Sequence, residues 1–182
     1  MSNRWNLWQA VPDRERQHWE LEPFEAVGPL HFGMSPGEVS GALRGATAHP
    51  RRADVLLGKD QYGGLMGEHW GLGLMLYYGR NEQLRGVAVD ALLGPQVFAD
   101  GAALVGRVPS HLEHWLVDRA ECREPFAELV YPATGVPGSR SLGVMIGVQR
   151  SGDNLLTRPV FLSAEATQAP SCFLPPQAWT VG

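Results

Sequence analysis

Cysteine is almost missing from this chain of 182 residues. Cys122 and Cys172 are too few for a disulfide framework and lack the spacing of a zinc site. Two reduced thiols without special chemistry are expected, a single bridge being open only to an exported chain. Positive charge is scarce as well. The net charge is −4, and the one tight basic cluster is Arg44 with Arg51 and Arg52. A nucleic-acid surface needs a broad positive face that releases counterions from phosphates, so no nucleic-acid partner is expected. No apolar run reaches the length of a membrane-spanning helix. Residues 1–8 also lack the continuous apolar stretch of a secretory signal, and Pro12, Asp13, Arg14, Glu15 and Arg16 follow at once. These gaps point to a cytoplasmic protein with no membrane partner, unless a leader has been removed.

Motifs for nucleophilic and phosphate chemistry are missing too. There is no GxSxG elbow and no GxxxxGK[ST] loop. Gly71-Leu72-Gly73 sits at the entry of a strand, whereas a dinucleotide loop leaves a strand and enters a helix. Glycine there serves backbone geometry. His111-x-x-His114 differs from the HExxH zinc pattern in both spacing and glutamate position, and reads as a solvated helix face. Cys122 stands among Glu121, Arg123 and Glu124, a setting that does not favour a thiolate. Asp90 and Asp100 are read as turn and edge residues. No metal and no cofactor is expected.

What is present is the balance of a folded domain, 44% apolar against 19% charged. It also carries an internal echo. Gly33-Met34-Ser35-Pro36-Gly37-Glu38-Val39 leads to Leu43, and Gly106-Arg107-Val108-Pro109-Ser110 leads to Leu116. Leu72-Gly73-Leu74-Met75 runs to Arg80, and Leu142-Gly143-Val144-Met145 runs to Arg150. The offset is 73 in the first block and 70 in the second. Recurrence of this kind implies repeated supersecondary units that share a core. The expected fold is α+β: two tandem repeats, each a short helix packed on a mostly antiparallel sheet. An N-terminal arm (1–22) precedes repeat 1 (23–93) and repeat 2 (94–163), and an extended surface tail (164–182) follows.

Local signals fill in the elements. Pro12 and residues 13–21 suggest a short amphipathic helix, with Trp5, Trp8 and Trp19 covering one edge of the core. Ser35-Pro36-Gly37-Glu38 forms a capping box and starts a helix of about three turns that buries Val39, Ala42 and Leu43. Residues 44–71 read as a variable connection with a strand at 54–57. Strands are expected over 72–78 and 84–89, then a hairpin from 96–99 to 102–105 turned by Asp100-Gly101. Pro109 and a Ser110-x-x-Glu113 box start the second helix, which runs through Leu112, Trp115, Leu116 and Val117. Strands at 127–131, 142–148 and 155–162 follow, with a loop at 134–140. Pro170, Pro175 and Pro176 argue against a regular element in the tail.

Alternation then assigns faces. Leu72, Leu74, Leu76 and Tyr78 share one side, as do Leu142, Val144, Ile146 and Val148, and this is the side beneath the helices. Met75, Tyr77, Met145 and Gln149 with their small neighbours lie on the other. That second face is either open to a partner or buried between the two copies.

The Gly33 to Leu43 run resembles the Gly-Met-[Ser/Thr]-x-x-Glu-Val-x-x-x-Leu helix entry of β-lactamase-inhibitor-protein-like modules, of small lipoproteins of outer-membrane assembly and of immunity-like actinobacterial proteins. The doubling extends the resemblance, since the secreted β-lactamase inhibitor has two tandem α/β modules presenting a concave sheet face. High Gly, Pro, Arg and Ala with very little Lys also suggests a GC-rich bacterial source. Two departures stand out: no secretion signal, and no cysteine pattern for two intradomain bridges. The resemblance therefore implies neutralisation of some protein other than a β-lactamase.

These readings converge on a non-catalytic protein-binding module of immunity or inhibitor type, a monomer or homodimer that occludes a toxin or enzyme. The expected contacts are Met75, Tyr77, Tyr78, Met145 and Gln149, with alternation placing Tyr78 on the core side. One rival is a small-molecule-binding protein or enzyme with a pocket between the repeats that uses His111, His114 and Asp90. Another is a structural protein that meets its own copy.

Overall fold

The computed structural model describes residues 8–43, 50–51, 66–79, 81–123, 128–131, 136–168, 174 and 178. It is an α+β fold with two sheets. The smaller sheet holds β1 (His18–Glu22), β2 (Ala26–Val27), β3 (Leu30–His31), β8 (Gln96–Ala99) and β9 (Ala102–Ala103), in the order β3-β2-β1-β8-β9. The larger holds β4 (Pro50–Arg51), β5 (Met66–Trp70), β6 (Leu74–Tyr78), β7 (Leu84–Val89), β10 (Leu129–Val130), β11 (Gly138–Ser139), β12 (Val144–Ser151) and β13 (Asn154–Leu162). Its order is β10-β11-β12-β13-β7-β6-β5-β4, antiparallel throughout. Among the described residues the helices are α1 (Pro36–Ala42), α2 (Pro109–Glu121) and α3 (Ala164–Gln168).

Short-range chemistry sets most of these elements. The Ser35 hydroxyl accepts from the Glu38 amide at 3.4 Å, and the Glu38 carboxylate accepts from the Ser35 amide at 2.8 Å. That is the expected capping box, with Pro36 at the first helical position. Gly37 and Gly41 lower the helical preference of the segment, so α1 stops after seven residues rather than three full turns. Val39 and Leu43 are buried as expected, but Ala42 is exposed. Asp100 and Gly101 have φ of +48° and +78°, as a type I′ turn between β8 and β9 requires. At α2 the expected Ser110 box is not used. Pro109 begins the helix and Val108 is its N-cap, which places Ser110 inside the first turn. Glu113 instead accepts from the Tyr131 hydroxyl at 2.9 Å. Leu112, Leu116 and Ala120 recur every four residues and form the buried stripe.

Long-range pairing corrects several expectations. The residues expected to form an N-terminal helix make a 3-10 turn over Asp13–Glu15 and then β1, which pairs in parallel with β8 in the middle of its sheet. Trp19 on β1 is buried in the core, while Trp8 is 55% exposed. Trp5 and the strand expected at 54–57 lie outside the described residues. The connection after α1 contributes β4 and β5, and the loop expected at 134–140 contains β11. The tail contains α3, entered at Ser163, whose hydroxyl accepts from the Ala166 amide at 3.3 Å.

Backbone bonds recur at the spacing of the sequence echo. Gly33 donates to the Leu84 carbonyl and the Leu84 amide to the Met34 carbonyl. Gly106 donates to the Thr157 carbonyl and the Thr157 amide to the Arg107 carbonyl, each partner 73 residues further on. Gly33 and Gly106 have φ of +91° and +66°. Gly73 and Gly143, at the entries to β6 and β12, have φ of +73° and +61°. Helices and strands meet over one main core, in which Val39 and Leu43 of α1 and Leu112 and Leu116 of α2 pack with Leu74, Leu76, Tyr78, Leu142, Val144 and Ile146. This is the face that alternation assigned to the helix side.

Candidate partner-binding groove

The opposite sheet face is covered, contrary to the expectation of an accessible patch. Tyr77 is 4% exposed, Met145 2%, and Met75 is partly buried, while Tyr78 is fully buried in the helix-side core, where alternation puts it. Tyr77 and Met145 join Ala88, Val160 and Leu162 in a second core, roofed by Ala166 of α3 and by Leu174 and Ala178. Leu174 sits in the notch left by Gly86, where an added Cβ would lie 2.9 Å from its methyl group. Burial raises the Tyr77 hydroxyl pKa above its usual range, with Arg158 pulling the other way. The tail thus supplies buried side chains rather than an extended surface strand.

Gln149 is committed elsewhere. Its amide donates to Asp90 Oδ2 at 2.8 Å, and its oxygen accepts from the Ala91 amide at 2.9 Å. Asp90 Oδ1 accepts from the amides of Leu92 and Leu93, both at 2.8 Å, so Asp90 shapes its turn as the sequence suggested. Arg16, with 2% of its side chain exposed, clamps the same loop through the carbonyls of Val11, Ala91 and Gly94 at 2.7 to 2.8 Å. A second polar centre ties α2 to β11. Arg119 Nη1 donates to Glu128 Oε1 at 2.6 Å and Nε to Asp100 at 2.8 Å, and the hydroxyls of Ser139 and Ser141 donate to Glu128. Burial opposes ionisation of Glu128, but these donors outweigh it and hold the carboxyl below its usual range.

His111, His114 and Asp90 are not brought together. His111 and His114 are exposed on α2, and Asp90 lies within its own turn. Among the described residues no three His, Cys, Asp or Glu side chains are placed to hold a metal. Cys122 caps the end of α2 and is exposed, and Cys172 lies outside the described residues.

A groove of about 520 Å³ lies at the start of α2. One wall is β9, the last strand of its sheet, with Ala102 and Ala103. Gly106, Arg107 and Val108, then His111, Leu112 and Trp115 of α2, and Leu156 of β13 complete the lining. The walls are held stiffly. Buried Thr157 accepts from the Arg107 amide at 2.8 Å and donates to the Leu104 carbonyl at 2.7 Å. Gln96 donates to the Val105 carbonyl, accepts from its amide, and donates to Asp13. Asp13 in turn pairs with Arg107; burial resists its charge, yet the bonds from Arg107 and Gln96 hold its carboxyl low.

No family model, curated protein or solved structure matches this chain. The groove must therefore be read from its own chemistry. It is lined mainly by apolar side chains, with Arg107 as its one formally charged member and His111 beside it. α2 starts without a side-chain cap and without an acid in its first turn, which leaves the partial positive charge of the helix start to the backbone alone.

Exposed Val108 lines it, and further exposed apolar side chains lie on the β12–β13 hairpin and on segments bonded to it. Among the described residues five large hydrophobics are exposed, and four of them flank the outer half of the β12–β13 hairpin: Trp8, Leu93, Val108 and Leu155. The Ser151 hydroxyl bonds the Trp8 carbonyl at 2.6 Å, and the Val11 amide bonds the Leu92 carbonyl next to Leu93. Leu155 pairs with Arg150 on the hairpin, and Val108 shares the groove with Leu156. Alternation alone points to the Met75, Tyr77 and Met145 face, which is covered. The missed signal was continuous apolarity: Val87-Ala88-Val89 and Val160-Phe161-Leu162 are apolar on both sides, as strands buried on both faces are.

Proposed function

We propose that this protein is a non-catalytic protein-binding module of immunity or inhibitor type, built from two tandem copies of one α+β unit. Supporting the doubling are the backbone bonds at Gly33–Leu84 and Gly106–Thr157, and the positive φ of both glycines. Strand order supports it as well, since β6 and β12 each stand one place outside the central β7–β13 pair. The observation that carries the binding role is a stiff groove with exposed Val108 on it, while Trp8, Leu93 and Leu155 are exposed on the β12–β13 hairpin or on segments bonded to it. Scattered exposed leucines are ordinary on any surface, whereas a cluster around a concave, hydrogen-bonded frame is the usual mark of an interface. The partner is a protein, and the contact surface is this end rather than the Met75, Tyr77, Met145 face.

A photo-activatable residue placed at Leu155, in the full chain in its native cell, should give one dominant cross-linked protein. The same residue at exposed Glu25 should not. If Leu155 yields only adducts with the chain itself, or none, the partner-binding reading fails. A second reading has one specific observation behind it: the groove volume falls in the range of small-molecule sites, and His111 lines it. A ligand retained through purification and released by unfolding would favour that reading.

A further inference from the structure

We infer that the groove at the start of α2 receives an extended segment of the partner protein that carries an Asp or Glu beside an aromatic or aliphatic side chain. This rests on the partner-binding reading and specifies the chemistry of the contact. Three observations converge on it. Arg107 is the one formally charged residue among those lining the groove, in a chain whose net charge is −4 with histidine neutral. The uncapped start of α2 adds partial positive charge at the same place. Asp13 engages one end of the Arg107 guanidinium, while a third of the Arg107 side chain remains exposed. A carboxylate entering here can reach the exposed part of Arg107, and Trp115, Leu112 and Val108 receive the apolar neighbour. An extended backbone fits because, among the described residues, β9 is the terminal strand of its sheet and its Ala102 and Ala103 line the groove.

The test uses the full chain labelled with ¹⁵N and two capped peptides, Ac-Thr-Phe-Asp-Val-Thr-NH₂ and Ac-Thr-Phe-Lys-Val-Thr-NH₂. The acidic peptide should shift the Trp115 indole and the amides of Val108 and His111, and bind roughly fivefold more tightly than the basic one, as expected of one partly exposed charge pair. Arg107→Gln should erase that preference. So should His111→Glu, an exposed change that favours the helix start and leaves the fold intact. The inference is overturned if both peptides bind equally, or if neither moves these signals at its solubility limit. It is also overturned if the signals move with protein concentration alone, which would make a second copy the occupant. Cross-linking at Leu155 reads partner capture whatever the charge of the segment, so the failure of this contact and the failure of partner binding are separable.

Discussion

Replacing Leu174 with alanine should destabilise the protein far more than a change near a chain terminus usually does. Leu174 is fully buried against the sheet face that holds Tyr77, Ala88 and Met145. Truncation removes three carbons, about 2.4 kcal/mol of transfer free energy. Incomplete collapse of the cavity raises the cost to about 3 kcal/mol. With a urea m-value of about 2 kcal/mol/M, the unfolding midpoint should fall by roughly 1.5 M. The sharper test pairs this change with Gly86→Ala. A methyl at Gly86 would lie 2.9 Å from one Leu174 methyl and 3.5 Å from the Tyr77 ring, and the backbone there is not left-handed. Alone, Gly86→Ala should cost about 1 kcal/mol through overpacking. In the Leu174→Ala background the clash with Leu174 is gone, the methyl fills part of the void, and the alanine restrains the unfolded chain. The same substitution should then be neutral or stabilise by about 0.5 kcal/mol. A midpoint shift below about 0.3 M for Leu174→Ala, or additivity of the two changes within about 0.3 kcal/mol, would refute the packing of the C-terminal segment on β7.

Other substitutions probe the same geometry. Gly28 has φ of +56°, and a Cβ there would press on the Trp19 ring at 2.5 Å, so Gly28→Ala should cost more than about 2 kcal/mol and red-shift tryptophan emission. Gly143→Ala should be comparably harmful in thermal unfolding, because its Cβ meets the Leu162 carbonyl at 2.9 Å in a backbone with φ of +61°. Arg119→Met leaves Glu128 buried without its cation and should lower stability by about 3 kcal/mol in urea titration. Glu128 is held below its usual range when folded, so its ionised form stabilises the fold above about pH 4.3. That contribution is lost as the pH falls through the folded value, because the unfolded chain binds the proton first. Glu128→Gln should flatten this part of the acid limb, and an unchanged slope of stability between about pH 5 and 3 would contradict the assignment.

Much of the fold was legible in local runs of residues. Ser35 to Glu38, Asp100-Gly101 and Pro109 each fixed a cap, a turn or a helix start, because the atoms that satisfy the backbone lie within three residues of one another. Alternation in β6 and β12 identified the helix-side face correctly. The site was far less legible. Groove residues come from β9, the turn before α2, α2 itself and β13, and only His111 among them drew notice as a candidate. Ser110 shows how a motif misleads: its box is intact in sequence, yet Pro109 had already begun the helix, so no free N-cap position was left for it.

Local sequence is enough to place several caps, turns and helix starts and the apolar side of β6 and β12. Those properties depend on side-chain period and on neighbours a few residues away. Tertiary structure alone decided that β1 enters the middle of a sheet beside β8, and that Leu174 and Ala178 close over Tyr77. It also decided that Val108, Trp115 and Leu156 meet across a groove. Such choices rest on matching apolar area between segments distant along the chain, where many pairings satisfy the same local pattern and only the complete packing distinguishes them.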